Sequence, residues 1–267
     1  MSTPHDRDNP FAPPKAAVLE PSSASAGEFV AEGVKVTAGR GAAWYSEGWG
    51  KFRLAPGTWI LIALVFIVMW IVLGIIPLGG LVSSLLYPIF VAGLMLGCRK
   101  LEDGDSLAFK DLFSGFSANT GNLLLVGLLY LAAVFAIGML VGIGAALTIP
   151  LMGTTGGAGR GMGQLMAMAP VFIAIVLVAM ALMLPVVMAF WFAPALVVFH
   201  DAQPMAALRA SFAGCLKNFG ALLVYWVIGL FFMILAMIPV GLGFLVFVPV
   251  MWGSMYAGYR DIFLRHD

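Results

Sequence analysis

Few residues in this chain have the types and spacing to do chemistry. His200-Asp201 sets an imidazole beside a carboxylate, the pairing used in proton relays and at one corner of a metal site. Adjacent helical residues do not face one target, however. The pair therefore reads as a polar helix end meeting headgroups, with Asp201 capping the helix that follows. Arg260-Asp261 reads as a snorkelling membrane stop. Tyr87, Tyr130, Tyr225 and Tyr256 have the hydroxyls to line a polar path, although tyrosines bonded within a helix bundle are the commoner arrangement. Met162, Met166 and Met168 are soft ligands suited to Cu(I) but have no Cys or His nearby in sequence. The Gly-rich run at 153–164 lacks the strand and soluble helix that a phosphate loop requires, and reads as a flexible turn. Cys98 and Cys215 are too few for a disulfide framework and read as free thiols.

The omissions are as informative. No ionisable residue falls in the middle of a long apolar run, which argues against proton-driven transport, ion conduction and voltage sensing. Intramembrane proteolysis by paired aspartates or by a His-Glu-x-x-His helix lacks its residues for the same reason. No catalytic residue, cofactor or metal is expected, and a net charge of +1 with no basic face gives no reason to expect nucleic acid.

The elements that would position these residues are membrane helices. Hydrophobic residues make up 62% of the chain and charged residues 10%, far from the balance of soluble domains. Uncharged runs extend over Leu54–Cys98, Leu112–Gly159, Gly161–Phe199 and Asn218–Tyr259. About 20 apolar residues span a bilayer core, so the outer two runs hold two crossings each and the middle two hold one each. The pattern predicts an all-α polytopic bundle of six helices, crossing at about 58–76, 80–98, 122–146, 170–199, 221–238 and 240–259. The apolar side chains between Leu61 and Leu73 favour insertion of the first by about 3 to 6 kcal/mol. Residues 1–41, rich in proline and alternating charge, predict a disordered cytosolic tail, and 42–267 form the membrane domain. No signal peptide is expected, because the first long apolar stretch starts after residue 57.

Three amphipathic segments interrupt the crossings. Tyr45, Trp49 and Phe52 recur at helical spacing before Pro56, with Trp44 and Trp49 suited to the headgroup zone. Phe109, Leu112, Phe113 and Phe116 outline a second surface helix capped by Asp105 or Ser106. Met205, Leu208, Phe212, Leu216 and Phe219 outline a third, with Arg209 and Lys217 off its apolar face and available to a partner.

These units repeat. Three apolar runs carry a proline followed by a pair of small residues four apart: Gly93/Gly97 after Pro88, Ala189/Ala193 after Pro185, and Gly253/Ala257 after Pro249. The order surface helix, crossing, turn, proline-bearing crossing predicts three related hairpins, the middle one enlarged by an insertion near 147–169. The small pairs, with Gly138/Gly142, would let helix backbones approach closely. With both termini in the cytosol, every Lys and Arg except Arg160 lies inside, as the positive-inside rule requires.

The motifs Ala38–Gly41 followed by Trp44, Ile76-Pro77, the 111–116 run DLFSGF, the 191–201 run WFAPALVVFHD, and RDIF at 260–263 resemble an uncharacterised family of bacterial six-helix inner-membrane proteins. More distantly, the chain is similar to the membrane domains attached to some glycerophosphodiesterases. The resemblance implies an inner-membrane location and no established activity. The expected function is a non-enzymatic scaffold or membrane-organising factor that meets the bilayer and a cytosolic or membrane protein partner. The alternative is a carrier or channel for a small neutral or lipidic substrate. A polar cavity between helices would favour the carrier, and a packed apolar bundle the scaffold. Oligomeric state is not written in the chain.

Overall fold

The computed structural model describes residues 27–153 and 162–265. The tail over 1–26, residues 154–161 of the Gly-rich run, and 266–267 lie outside the described residues. In chain order the elements are β1 (Glu28–Phe29), α1 (Arg40–Leu54), α2 (Pro56–Ile75), α3 (Gly79–Glu102), the 3-10 helix η1 (Phe109–Ser117), α4 (Thr120–Gly153), α5 (Met162–Trp191), α6 (Ala193–His200), α7 (Pro204–Lys217), α8 (Phe219–Met237), α9 (Phe244–Phe263) and β2 (Leu264–Arg265). Among the described residues, five stretches are long and apolar enough to cross a bilayer: Pro56–Ile75, Gly79–Glu102, Thr120–Leu147, Ala169–His200 and Phe219–Met237. The protein is an all-α membrane bundle. The remaining expected crossing is α9, whose second half carries Ser254, Tyr256, Tyr259, Arg260 and Asp261 and is correspondingly less apolar.

Prolines shape these helices. Pro56 begins α2, where its missing N–H is no loss. Pro88, Pro185 and Pro249 sit inside α3, α5 and α9. Pro194 follows the break at Phe192 that separates α5 from α6. Ser211 repairs that break from outside. Its hydroxyl accepts a hydrogen bond from the Phe192 N–H at 3.0 Å and donates to the Met188 carbonyl at 2.8 Å, standing in for a lost i→i−4 bond.

η1 and α7 each seat on the proline-bearing helix of the hairpin before them. η1 lies on α3: a Cβ on Gly93 would stand 2.6 Å from the Leu112 carbonyl oxygen, and one on Gly97 would meet the Leu107 side chain at 2.8 Å. α7 lies on α5 and α6 through Ser211, with Ala193 fully buried and Ala189 half-buried. α1 closes the circle on α9, where a Cβ on Gly253 would stand 2.9 Å from the Gly48 Cα and Ala257 is fully buried. Gly93 and Gly253 thus lie against short helices rather than other crossings. Gly138 and Gly142 meet nothing within 4 Å and face open space.

Several expectations are corrected. Residues 27–41 do not continue an unstructured tail. β1 pairs antiparallel with β2, Glu28 opposite Arg265, and Asn218 binds the Val36 N–H and the Val34 carbonyl through its amide. The segment is anchored by backbone hydrogen bonds, which its polar composition does not advertise. Trp44 is not in the headgroup zone: it is 1% exposed, packed on α9, and donates through its indole N–H to Asp261 at 2.8 Å, while Trp49 is 45% exposed. The segment over 105–116 is a 3-10 helix starting at Phe109, with Asp111 rather than Asp105 or Ser106 accepting the Ala108 N–H. Its Leu112 and Gly115 are buried, while Phe109, Phe113 and Phe116 are exposed. In α7 the inward residues are Ala207, Leu208, Ser211, Gly214 and Cys215, while Met205 and Leu216 point out; Phe219, exposed as well, already belongs to α8. Close approach selects small residues inward; lipid accepts the large apolar ones outward.

Gly93→Leu and Gly253→Leu should each lower detergent-solubilised stability by about 1–3 kcal/mol through overpacking, whereas Gly138→Leu should leave the melting temperature unchanged. Burial pushes the Cys215 thiol up to about 12, and Cys98 is fully buried. Neither thiol should react with a maleimide at pH 7.5 until the protein is unfolded, as mass spectrometry of labelled protein would report.

Candidate functional site

The charged ends of α1, α3 and α9 converge at one end of the bundle. Glu47 of α1 accepts from Arg40 at 2.6 Å and from Arg260 at 3.2 Å. Glu102 of α3 accepts from Lys51 at 3.2 Å and is paired with Arg260. Asp261 takes Arg40 at 2.5 Å together with the Trp44 indole. Three carboxylates and three cations therefore form one connected network. Lys51 also lies 4.7 Å from the Tyr256 ring centroid, and burial holds its amine below the usual lysine range. Apart from Arg40 and Glu47, seven residues apart on α1, the paired groups lie 51 to 221 residues apart in sequence.

Beside the network is a cavity of about 300 Å³. Its walls come from α3 (Arg99, Glu102, Asp103), α6 (Phe199, His200) and α9 (Tyr256, Tyr259, Arg260), and the β1–β2 ribbon roofs it through Gly27, Phe29 and Leu264. His200 is held from two sides: its Nε2 lies 2.6 Å from the Tyr259 hydroxyl, and its ring stacks on Phe29 at 3.7 Å between centroids. Asp201 is not its partner. The Asp201 backbone is left-handed, φ 48°, and its carboxylate accepts from Asn119 at 3.3 Å. Nor does Asp201 cap α7, whose N-cap is Gln203. The sequence neighbours His200 and Asp201 are thus directed to different partners, and the hydroxyl that meets the imidazole, that of Tyr259, lies 59 residues away.

A second cavity, about 320 Å³, lies deeper among α2 to α6 and α9. It carries the hydroxyls of Ser83, Ser84, Tyr87 and Tyr130 and no charged side chain. Tyr225 is not part of it; its hydroxyl meets Ser254 at 3.1 Å. The two cavities share three helices. On α9, Met255 lines the deeper one and Tyr256 the charged one. On α6, Pro194 and Phe199 stand in the same relation, as do Val91 and Arg99 on α3. Leu94, Met95, Leu196 and Val197 between those levels are fully buried. Phe199 and Tyr256, with ring centroids 6.0 Å apart, sit at the charged side of this barrier.

Of the residues singled out from sequence, His200 lines the charged cavity. Lys217 donates to the Gly33 carbonyl at 2.7 Å and so anchors the 27–39 strap, while Arg209 is exposed and makes no ion pair among the described residues. Among the described residues no group of three His, Cys, Asp or Glu side chains is placed to hold a metal.

The network predicts energetic coupling. Glu102→Gln leaves Lys51 and Arg260 without their shared carboxylate, and should lower stability by about 1–3 kcal/mol. Lys51→Gln together with Glu102→Gln should cost less than the sum of the two single changes, read from a thermal-melt double-mutant cycle.

No family model matches the chain, and no solved structure matches it. A protein of Burkholderia thailandensis described as a probable inner membrane protein is 32% identical over 232 residues, covering 84% of this chain and 83% of that protein. With that identity over most of both chains, the chain belongs to the same family of inner-membrane proteins.

Proposed function

We propose that this is a non-enzymatic inner-membrane carrier for a small neutral solute, built from six crossings with both chain ends on the cytosolic side. The observation that carries the reading is the pair of cavities stacked on α3, α6 and α9, divided by a barrier that Met255 and Tyr256 face from opposite sides. Volumes near 300 Å³ suit a small ligand. The deeper cavity offers hydroxyls and no charge, so an ion entering it would lose hydration without a counter-charge. The non-enzymatic reading is supported by His200, which is committed to Tyr259 and Phe29, and by Asp201, which is directed to Asn119.

Pairing of Glu28 with Arg265 supports the even number of crossings. Five would leave these residues on opposite faces of the membrane, whereas α9 as a sixth returns the chain to the face it started from. The lysines and arginines clustered on that face support its assignment to the cytosol. The recurrent seating of a short helix on a proline-bearing helix supports three related units.

One observation favours the scaffold reading instead: Met205, Arg209 and Leu216 form an exposed stripe on α7. Lys217 is excluded from that stripe by its bond to Gly33, so Arg209→Glu is the cleaner probe. The deciding experiment reconstitutes purified protein in liposomes and follows entry of polyols, urea and zwitterionic amino acids by stopped-flow light scattering. At least one solute should enter faster than into protein-free vesicles, and Met255→Trp, which thickens the barrier, should return that rate to background. Background rates across the whole panel, with loss of a copurifying protein in Arg209→Glu, would replace the carrier with the scaffold.

A further inference from the structure

A third cavity, about 670 Å³, lies between α8 and α9 under α1, and is independent of the axial pair. Its walls are apolar, with Phe232 and Ala236 on one side, Val246 and Val250 on the other, and Tyr45 and Trp49 above. Close contacts at both ends keep it from collapsing. At one end α1 is wedged between the two helices, Gly41 against the Ala221 carbonyl and Gly48 against the Val250 carbonyl, positions where a Cβ has no room. At the other, near the α8–α9 turn, a Cβ on Gly243 would lie 2.5 Å from the Ala236 Cα. The helices are held apart at one end and together at the other, leaving a tapered slot. Phe231 and Leu235 beside it are exposed, so the slot opens onto hydrocarbon.

The roof helix supplies the second feature. Ala42, Ser46, Trp49 and Arg53 are spaced i, i+4, i+7 and i+11, and all four are exposed on one face of α1. The first three line the slot. Arg53 makes no ion pair among the described residues, whereas Arg40 and Lys51 are bound into the carboxylate network on another face. An apolar slot open to lipid, with an uncommitted guanidinium at the end of the same stripe, matches a molecule with a hydrocarbon tail and an anionic head. We infer that the slot holds one acyl chain of a phospholipid whose phosphate is bound by Arg53.

The test is native mass spectrometry of the full chain extracted in mild detergent and washed free of bulk lipid. The parent should retain one phospholipid per chain. Ser46→Trp, which fills the mouth of the slot, should abolish retention at an unchanged melting temperature. Arg53→Gln should lower occupancy about fivefold, the loss of one headgroup contact worth about 1 kcal/mol. If Ser46→Trp fails to fold, fluorescence on otherwise native protein decides: in vesicles of phospholipid brominated along the acyl chain, the parent should be quenched more than Trp49→Phe. Equal lipid retention by parent and Ser46→Trp, or equal quenching with and without Trp49, would overturn the inference. A parent dimer that Ser46→Trp converts to monomer would overturn it too, and would assign the slot to a second copy of this chain.

Discussion

Ser211 completing the backbone of a helix it does not belong to is the clearest form of the constraint on which this bundle depends. Backbone polar groups have no water to fall back on in or near the hydrocarbon, so every interruption of a crossing needs an internal partner. Prolines sit inside three of the long helices, α3, α5 and α9. A short helix lies against each, and the approach is close enough that side-chain bulk is excluded: Gly93 under Leu112, Gly253 against Gly48, Ser211 bridging Met188 and Phe192. Everything above that level follows from it. The short helices have to be there, small residues have to face inward, and the large apolar side chains of η1 and α7 are displaced outward.

The same constraint explains why the first helix is tied to the last. η1 and α7 seat on the hairpins that precede them, and α1 seats on α9. That contact spans nearly the whole chain, and the charges reinforce it where the helices emerge toward water. Arg40 meets Asp261, Glu47 meets Arg260, and the strap over 27–39 is fastened by Asn218 and Lys217. These pairs are only partly buried, so each offsets part of its desolvation while fixing register more than adding stability. Registration of α1 against α9 is also what wedges α8 away from α9 and opens the slot between them.

The crossings were legible because bilayer thickness imposes a length and an apolarity that a single sequence displays directly. The end of α1 before Pro56 was legible too, since proline acts through its own neighbours. What could not be read was which side of each short helix is inside. Periodicity marks the apolar face, and in water that face is buried. Beside a membrane the rule weakens, because Phe113 or Leu216 is as well placed against lipid as against protein, and close packing prefers Gly115, Ser211 and Gly214. Trp44 and the 27–39 strap escaped for a related reason: their partners, Asp261 and Asn218, are remote in sequence and act on an indole N–H and on backbone groups that carry no pattern.

The cavities are a consequence of the same packing. α3, α6 and α9 enclose fully buried side chains at one level and line a cavity on either side of it. The tight level holds fully buried Leu94, Met95 and Leu196. The separations are the charged cavity under the ribbon and the hydroxyl-lined one beyond. Met255 and Tyr256, consecutive on α9, line the two cavities from either side of that level. The position of α9 is fixed jointly by α1, β2 and the carboxylate network.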